Sequence, residues 1–350
     1  PSVNEATEKT SPEGTLDQLG SVLPRLIVAV AQTAEDEVVF FAKYDIKDGF
    51  WRMKVEDGAE YNFAYVMPQE DGQPVRLVIP TSLQMGWTES PSYFCAASET
   101  ARDVAEVYAK ADKLEEHYLE QYTKLEDDYK NLPSGGLNED LAHCFEVFVD
   151  DFIGAAIPRT KEDLTHLSRA LLHAIHDVFP ASPDTPENDP ESLKKLKKRE
   201  GAWAVRKDIL GWELQGKEKT VQLEGAKFDK LMNLTKEALR SKSGMPFKKY
   251  ESMLGKMRHA SWGVPGSNGL FTPFNRIIAQ KPTTVWFRER SPLTVALRDW
   301  RSIFKEALKE PTHVRQLFRG EPNIAGIVDA SGEGVGGVVF GMTDDIVPTV

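Results

Sequence analysis

Two adjacent aspartates, Asp150 and Asp151, stand where their surroundings favour chemistry. They interrupt the apolar segment FEVFVDDFIGAAI at 145–157, a pattern that predicts two buried strands joined by a tight turn. Burying adjacent carboxylates without a counter-charge is costly, so such a turn either faces solvent or holds a hard cation such as Mg²⁺. For the pair taken alone, an ordinary polar turn is the alternative interpretation.

A third carboxylate, Asp45, ends a short apolar strand in FFAKYDIKDGFWRMKV at 40–55. The Gly-Phe pair that follows leaves the backbone free to turn, which suits a shared metal ligand. The alternative is a turn aspartate that caps the next segment. Further along, LVIPTSLQMGWTESPSYFCAASETA at 77–101 predicts a strand that ends at Gly86 and a helix that begins near Ser90 and Pro91.

Taken in order, these three segments resemble the palm of retroelement reverse transcriptases. That family carries D-x-x-x-[GA]-[YF] on a strand, then [LM]-x-x-G-[LWY]-x-x-x-P, then x-x-D-D on a hairpin. The chain reads DIKDGF at 45–50, LQMGWTESP at 83–91 and FVDD at 148–151. The resemblance continues with VRKDILGWELQ at 205–215, the thumb-like YESMLGKMRHASWGVPG at 250–266, and GIVDASGEGVGGVVFG at 326–341, which is similar to the first hairpin of a ribonuclease H domain. The match is closest to gypsy-like and tyrosine-recombinase retrotransposons.

The resemblance implies an α+β fold of the palm-type polymerases, with right-hand fingers, palm and thumb and a C-terminal ribonuclease H-like fragment. The expected domains are a helical lead-in with partial fingers at 1–40, a palm at 41–222, a thumb at 223–282, a connection at 283–322 and the N-terminal fragment of a ribonuclease H domain at 323–350. Within the palm we expect a fingers hairpin at about 60–82, a helical insertion at about 100–142 and a loop insertion at about 180–200. Since the chain begins at Pro1 rather than Met, we expect a polyprotein fragment that can be inactive by itself.

Both insertions have distinct patterns. Apolar side chains recur every three or four residues from Val104 to Leu132, which predicts one long amphipathic helix. This helix would pack on the chain itself or, alternatively, on a partner. The segment 180–198 is rich in proline and charge, which predicts a mobile surface loop. Between them, Thr160 and Asp163 predict a helix that begins with a capping box.

The resemblance also implies a two-metal centre for nucleotidyl transfer onto a primer 3′-hydroxyl. Asp45 and Asp150 would bridge two Mg²⁺ ions, for which Mn²⁺ could substitute. Asp151 would support them, and the carbonyl of Ile46 would complete one shell. Three carboxylates suffice, because Mg²⁺ keeps waters and takes other ligands from substrate phosphate.

Five further residues would form the nucleotide site by the same resemblance. The backbone N–H groups of Asp48 and Gly49 would meet the triphosphate of a deoxynucleotide. Phe50 would exclude a 2′-hydroxyl. The alternative interpretation is that Phe50 is an aromatic residue of the core. Met85 and Gly86 would shape the pocket beside the base pair.

Three more expectations concern chemistry outside this centre. Lys207 is a possible general acid for pyrophosphate, with Lys198 as a competing candidate and a plain surface lysine as the alternative. Asp329 matches the first carboxylate of a ribonuclease H site. The later carboxylates of that site would lie beyond Val350, so we expect no cleavage of the RNA strand of a hybrid by this fragment.

Charge is distributed unevenly along the chain. The whole chain carries −11, yet the stretch 226–282 holds 11 basic and 3 acidic residues, a net of +8. Phosphate contacts need Lys and Arg, so this stretch is predicted to bind a primer-template duplex of DNA or RNA. The residues expected to do so are Lys248, Lys249, Lys256 and Arg258, for which a solvated helix surface is the alternative.

These features together predict an RNA-directed DNA polymerase of a retrotransposon. The alternatives are a decayed or domesticated element that binds nucleic acid without synthesis, or another palm-type polymerase. Only Cys95 and Cys144 are present and no apolar run approaches membrane-spanning length, so an intracellular protein of the cytoplasm or nucleus, without a membrane partner, is expected.

Overall fold

The computed structural model describes residues 2–68, 72–123, 132–138, 140–181, 188–318, 324–330, 334–342 and 348–349. The chain divides into two units of mixed helix and sheet. One comprises 1–29 and 33–227, and the other comprises 30–32 and 228–350.

Residues 1–227 hold five helices and eight strands in the described part. In chain order these are α1 Val3–Ala6, α2 Val22–Gln32, β1 Phe40–Asp45, β2 Tyr65–Val66, β3 Leu77–Val78, α3 Ser90–Tyr108, β4 His143–Phe148, β5 Asp151–Ala156, α4 Lys161–Val178, α5 Leu193–Leu196, β6 Arg206–Ile209, β7 Trp212–Gln215 and β8 Thr220–Leu223. Short 3₁₀ helices lie at Asp17–Gly20, Gly49–Arg52, Glu60–Phe63 and Glu120–Tyr122.

The central sheet is antiparallel in the order β1-β5-β4. Its middle strand β5 has the sequence DFIGAA and is buried at every position after Asp151, as a strand with neighbours on both edges requires. β4 and β5 form the hairpin predicted for 145–157, with Phe148 opposite Asp151. The register of β1 against β5 places Asp45 directly opposite Asp151.

One face of this sheet carries the hydrophobic core. Phe40, Ala42 and Tyr44 of β1 belong to it, together with side chains of α3 and α4. Because side chains alternate along a strand, Lys43 and Asp45 project from the other face. That second face is also buried at Phe41, Ile153 and Ala155, so it is polar only towards the end of the strands, where Asp45 and Asp151 lie.

Two predicted helix starts are confirmed. α3 begins at Ser90 with Pro91 in its first turn. α4 begins with a complete capping box, in which the Thr160 hydroxyl accepts from the Asp163 amide and the Asp163 carboxylate accepts from the Thr160 amide. Both helices pack on the core face and so support the strands that carry the aspartates.

The single long helix predicted for 104–132 is wrong in its described part, because α3 ends at Tyr108. Side chains of α4 bind the backbone that a longer helix would need for itself. Arg169 Nη1 donates to the Leu114 carbonyl at 3.4 Å, and His173 Nε2 contacts the Glu115 carbonyl at 2.9 Å. The apolar side chains that follow Tyr108, such as Leu114 and Leu119, therefore pack on the core from a segment that is not an α-helix. Residues 124–131 lie outside the described part.

The loop insertion expected at 180–200 also differs from the prediction where it is described. Residues 188–196, called the edge segment below, run along the outer edge of β1, with Glu191 bridged to Ile46. Asp189, Glu191 and Leu196 are buried. Pairing with β1 and burial of these side chains fix the segment, which therefore is not a mobile surface loop. Residues 182–187 lie outside the described part.

The VRKDILGWELQ segment forms a hairpin rather than one strand. β6 and β7 pair with Ile209 opposite Trp212, so only Leu210 and Gly211 form the turn. Both have positive φ, 51° and 85°, as a two-residue type I′ turn requires. β8 continues the antiparallel pairing beyond β7.

From residue 225 onward, helices dominate until the last three strands. The elements are α6 Gly225–Arg240, β9 Met245–Pro246, α7 Phe247–Ala260, α8 Thr272–Gln280, β10 Thr284–Val285, α9 Pro292–Ala307, β11 Thr312–His313, α10 Val314–Leu317, β12 Ile324–Ala330, β13 Val335–Met342 and β14 Pro348–Thr349. The segment 250–266 is largely helical, as expected. β12 and β13 form the antiparallel hairpin predicted around 326–341. Across the described residues, every helix is too short or too polar to cross a membrane.

Candidate active site

Backbone pairing brings the three predicted catalytic aspartates to one end of the central sheet, where β1 ends and β5 begins. Asp45 is the last residue of β1, and Asp151, its cross-strand partner, is the first of β5. Directly opposed residues have Cβ atoms about 4.5–5.5 Å apart on the same face. The Ile46 amide donates to the Asp150 carbonyl at 3.0 Å, which ties the β4–β5 turn to the end of β1. Val149 takes a positive φ of 57° to make that turn.

Lysine ammonium groups accompany two of the carboxylates. Lys195 of α5 donates a short hydrogen bond to Asp45 Oδ1. Lys43 Nζ lies 3.4 Å from Asp151 Oδ1. The Asp45 side chain is only 11% exposed, so its charge needs such a partner.

The carboxylates also influence one another. Burial raises the pKa of Asp45 to about 6 against the lowering effect of Lys195, and the charges of Asp150 and Asp151 raise it further. Burial likewise raises the pKa of Asp150, with Asp151 adding to the effect. The pKa of Lys195 is raised, since the contact with Asp45 outweighs the lowering by burial. At neutral pH the site therefore holds an Asp45–Lys195 ion pair.

This donor set fits a hard cation in its chemistry but is not arranged as a metal shell. Carboxylate oxygens are the ligands that Mg²⁺ prefers, and three carboxylates here face two ammonium groups. Even so, within the described part of the chain no group of three or more His, Cys, Asp or Glu side chains is placed to hold a metal ion. The assignment of these aspartates as ligands, with the Ile46 carbonyl, stays a prediction.

The predicted nucleotide segment follows Asp45 without a break. Asp48 has a left-handed backbone, with φ 58° and ψ 34°, and leads into the 3₁₀ helix that begins at Gly49. A Cβ atom on Gly49 would lie 3.0 Å from the Phe94 ring, so glycine lets this turn approach α3. Phe50 packs edge-to-face on the same Phe94 ring, with centroids 5.5 Å apart. Phe50 is therefore partly a core aromatic, and a role beside a ribose stays a prediction.

Met85 and Gly86 lie in the turn before α3. The Met85 side chain is 77% exposed, which is unusual for a large apolar residue and leaves it available for contact. Gly86 has φ 97°, a conformation that other residues rarely adopt, and its carbonyl accepts from Asn4 Nδ2 at 2.9 Å. A role of these two residues beside the base pair stays a prediction.

The edge segment is the part of the site that the sequence did not reveal. Its backbone binds both β1 and the nucleotide segment. The Ser192 amide donates to the Asp45 carbonyl at 2.9 Å, and the Lys47 amide donates to the Pro190 carbonyl at 2.8 Å. Arg52, in the 3₁₀ helix that holds Phe50, donates to the Asn188 and Asp189 carbonyls at 2.5 Å each.

A polar cluster around Asp189 of this segment also escaped prediction. Asp189 accepts a hydrogen bond from the Tyr118 hydroxyl and lies 3.3 Å from His176 Nε2. His117 Nε2 in turn lies 3.3 Å from His176 Nδ1. Burial lowers the pKa of His117 to about 4, with the neighbouring histidines adding to the effect. Glu191 is 1% exposed, and its buried carboxylate lies near the charges of Asp189 and Asp45.

The lysine expected as a possible general acid contacts backbone carbonyls, and its role stays a prediction. The Lys207 ammonium donates to the Ala202 carbonyl at 2.6 Å and to the Arg199 carbonyl at 3.3 Å. Lys198, the competing candidate, is exposed. A different lysine, Lys195, contacts Asp45. A pattern of several lysines in LKKLKK could not single it out, because the edge segment's pairing decides which one faces β1.

The predicted duplex-binding residues lie on α7. Lys248, Lys249 and Arg258 are exposed, and Lys256 is half-buried. Lys249 pairs with Glu237 at 2.5 Å, and Arg258 donates to Asn275 at 2.8 Å. Asp329 lies on β12 opposite Gly336. Duplex binding by the basic residues of α7 and a ribonuclease H role for Asp329 both stay predictions.

Sequence comparisons give no assignment, and structure comparisons give distant similarity. No protein-family model matches the chain, and a search of curated proteins finds no match. Among solved structures, the chain is similar to a foamy viral protease-reverse transcriptase dRH in complex with double-stranded DNA, with 16% identity, a TM-score of 0.48, and coverage of 94% of this chain and 43% of that chain. It is also similar to a foamy viral protease-reverse transcriptase in complex with RNA/DNA hybrid, with 18% identity, a TM-score of 0.43, and coverage of 82% and 29%. The chain thus spans less than half the length of these two structures.

Proposed function

We propose that this chain is the palm-containing part of an RNA-directed DNA polymerase from a retrotransposon polyprotein. The observation that carries the proposal is the register of β1 and β5, which sets Asp45 opposite Asp151 with Asp150 at the adjoining turn. Asp45 thereby meets two acidic residues that lie a hundred positions further along the chain, at one end of the central sheet. A purely structural turn has no need of such a convergence.

In this proposal, the aspartates bind metal and the neighbouring segment binds the nucleotide. Two Mg²⁺ ions, or Mn²⁺ in their place, would lower the barrier by polarising the primer 3′-hydroxyl and neutralising the leaving pyrophosphate. Asp45 and Asp150 would hold them, with Asp151 and the Ile46 carbonyl in support. The turn at Asp48 and Gly49 would receive the triphosphate of a deoxynucleotide.

Substrate selection and template binding would use other residues. Phe50 would lie against the sugar and exclude a 2′-hydroxyl, while Met85 and Gly86 would contact the base pair. The exposed basic side chains of α7 support duplex binding, because phosphate contacts require accessible Lys and Arg. Asp329 would be the first carboxylate of a ribonuclease H site.

Primer extension tests this proposal. The purified chain, and a longer polypeptide containing it, would be supplied with an RNA template, a DNA primer, deoxynucleotides and Mg²⁺. We expect extension that requires Mg²⁺ and is lost in Asp150→Asn. The matched control is Asp208→Asn, which removes an exposed carboxylate from β6 and should extend primers normally. Equal extension by both variants would contradict the assignment.

A further inference from the structure

Lys195 occupies the position at Asp45 where a bound cation would be needed. Its ammonium donates to Asp45 Oδ1, and its side chain stays 37% exposed. A lysine in this position competes directly with a divalent ion for the same carboxylate oxygen. Its location also differs from that of an ordinary surface lysine, because the segment that carries it is bound to the strand that carries Asp45.

The backbone around Lys195 is fixed at both ends. On one side, the Ser192 amide donates to the carbonyl of Asp45 itself at 2.9 Å, and Glu191 is bridged to Ile46. On the other side, Leu196 is 2% exposed in the core. The α-carbon of Lys195 therefore stays beside β1 whatever its side chain does.

The start of the edge segment is fixed as well. Arg52 binds the Asn188 and Asp189 carbonyls, while His176 and Tyr118 bind the Asp189 carboxylate. Opening the whole segment would break these contacts and expose buried polar groups. Rotation of the flexible Lys195 side chain breaks only the pair with Asp45, so side-chain displacement is the cheaper route.

We propose that Lys195 is a built-in counter-ion that holds Asp45 until a divalent cation displaces it, so that it weakens metal binding by the free chain. The edge segment keeps the ammonium close enough to return when the metal leaves. This inference rests on the proposed function, since it assumes that Asp45 is a metal ligand. It adds a residue that sets the metal affinity of the site.

Direct titration of the full chain with Mn²⁺, followed by electron paramagnetic resonance of the free ion, tests the proposal without any need for catalysis. Lys195→Met removes the competing charge and keeps an unbranched side chain. We expect about fivefold tighter Mn²⁺ binding, the factor that corresponds to breaking a partly exposed ion pair. Lys194→Met is the matched control, because Lys194 is the exposed neighbour on α5. It should bind Mn²⁺ like the parent.

Lys195→Arg provides a second variant, because it keeps the charge. It should bind Mn²⁺ with nearly the affinity of the parent, whereas a gain equal to that of Lys195→Met would overturn the charge argument. Equal affinity for Lys195→Met and Lys194→Met, with Mn²⁺ binding that is lost in Asp45→Asn, would overturn the inference and leave the metal site in place. Absence of Mn²⁺ binding in the parent and in Lys195→Met alike would contradict the proposed function and, with it, the inference.

Discussion

Glu191 offers a sharp test of how the edge segment is built. It is 1% exposed, and within the described part of the chain no ion pair or side-chain hydrogen bond compensates its carboxylate. Burial raises its pKa well above the usual value of 4.5, and the charges of Asp189 and Asp45 raise it further. The folded chain therefore holds Glu191 protonated under conditions in which the unfolded chain does not. Replacement by the neutral Gln removes this difference between the two states.

The sign and size of the effect follow from proton linkage. A raised carboxyl pKa means that the folded state binds more protons, so this group reduces stability as pH rises above about 4.5. Each pH unit over which the folded group stays protonated costs about 1.4 kcal/mol. The inserted amide replaces a protonated carboxyl of similar size, so it should change stability little at pH 4.5. We expect Glu191→Gln to be more stable than the parent at pH 7.5, by at most about 1.4 kcal/mol for each pH unit above 4.5.

Urea unfolding followed by tryptophan fluorescence, at pH 4.5 and pH 7.5, measures this difference. The variant and the parent should have similar stability at pH 4.5, and the variant should be more stable at pH 7.5. Glu218→Gln, at an exposed position, is the control and should leave stability unchanged at both values. The claim that the folded chain holds Glu191 protonated would be refuted by either of two results. Glu191→Gln could be less stable than the parent at pH 7.5, or its stability could differ from that of the parent by the same amount at both pH values.

Two further predictions test the nucleotide and duplex sites. Phe50→Val should relax discrimination against ribonucleotides by about 1–3 kcal/mol in competition assays. It should also cost about 1–2 kcal/mol of stability through the lost contact with Phe94; a stability loss with unchanged sugar discrimination would make Phe50 a core residue only. Charge reversal to Glu at Lys248, Lys249 and Lys256 together should weaken primer-template binding and reduce its salt dependence, whereas an unchanged salt slope would leave these lysines as solvated surface.

Local patterns predicted the parts of this fold that neighbouring residues determine. The β4–β5 hairpin follows from apolar runs on both sides of Asp150, and the start of α4 follows from the capping box at Thr160. Asp45 could be placed at a strand end for the same reason. Its alignment opposite Asp151 came only from the family resemblance, because strand register across a hundred residues leaves no local signal.

Long-range contacts explain what the sequence did not show. Periodicity between Val104 and Leu132 favoured a helix. It carries no information about Arg169, whose guanidinium donates a hydrogen bond to the Leu114 carbonyl in that segment. Proline and charge at 180–198 favoured a mobile loop. Composition cannot reveal that Glu191 pairs with β1 or that Lys195 reaches Asp45, since both depend on where the strand edge lies.

Mg²⁺-dependent incorporation of a deoxynucleotide by Asp150→Asn, compared with the parent and Asp208→Asn, tests the central claim most directly. The parent and Asp208→Asn should extend an RNA-templated primer. Asp150→Asn should not extend it, although it should keep its fold and its duplex affinity. Extension by Asp150→Asn at the level of the parent would contradict a catalytic centre at this end of the central sheet.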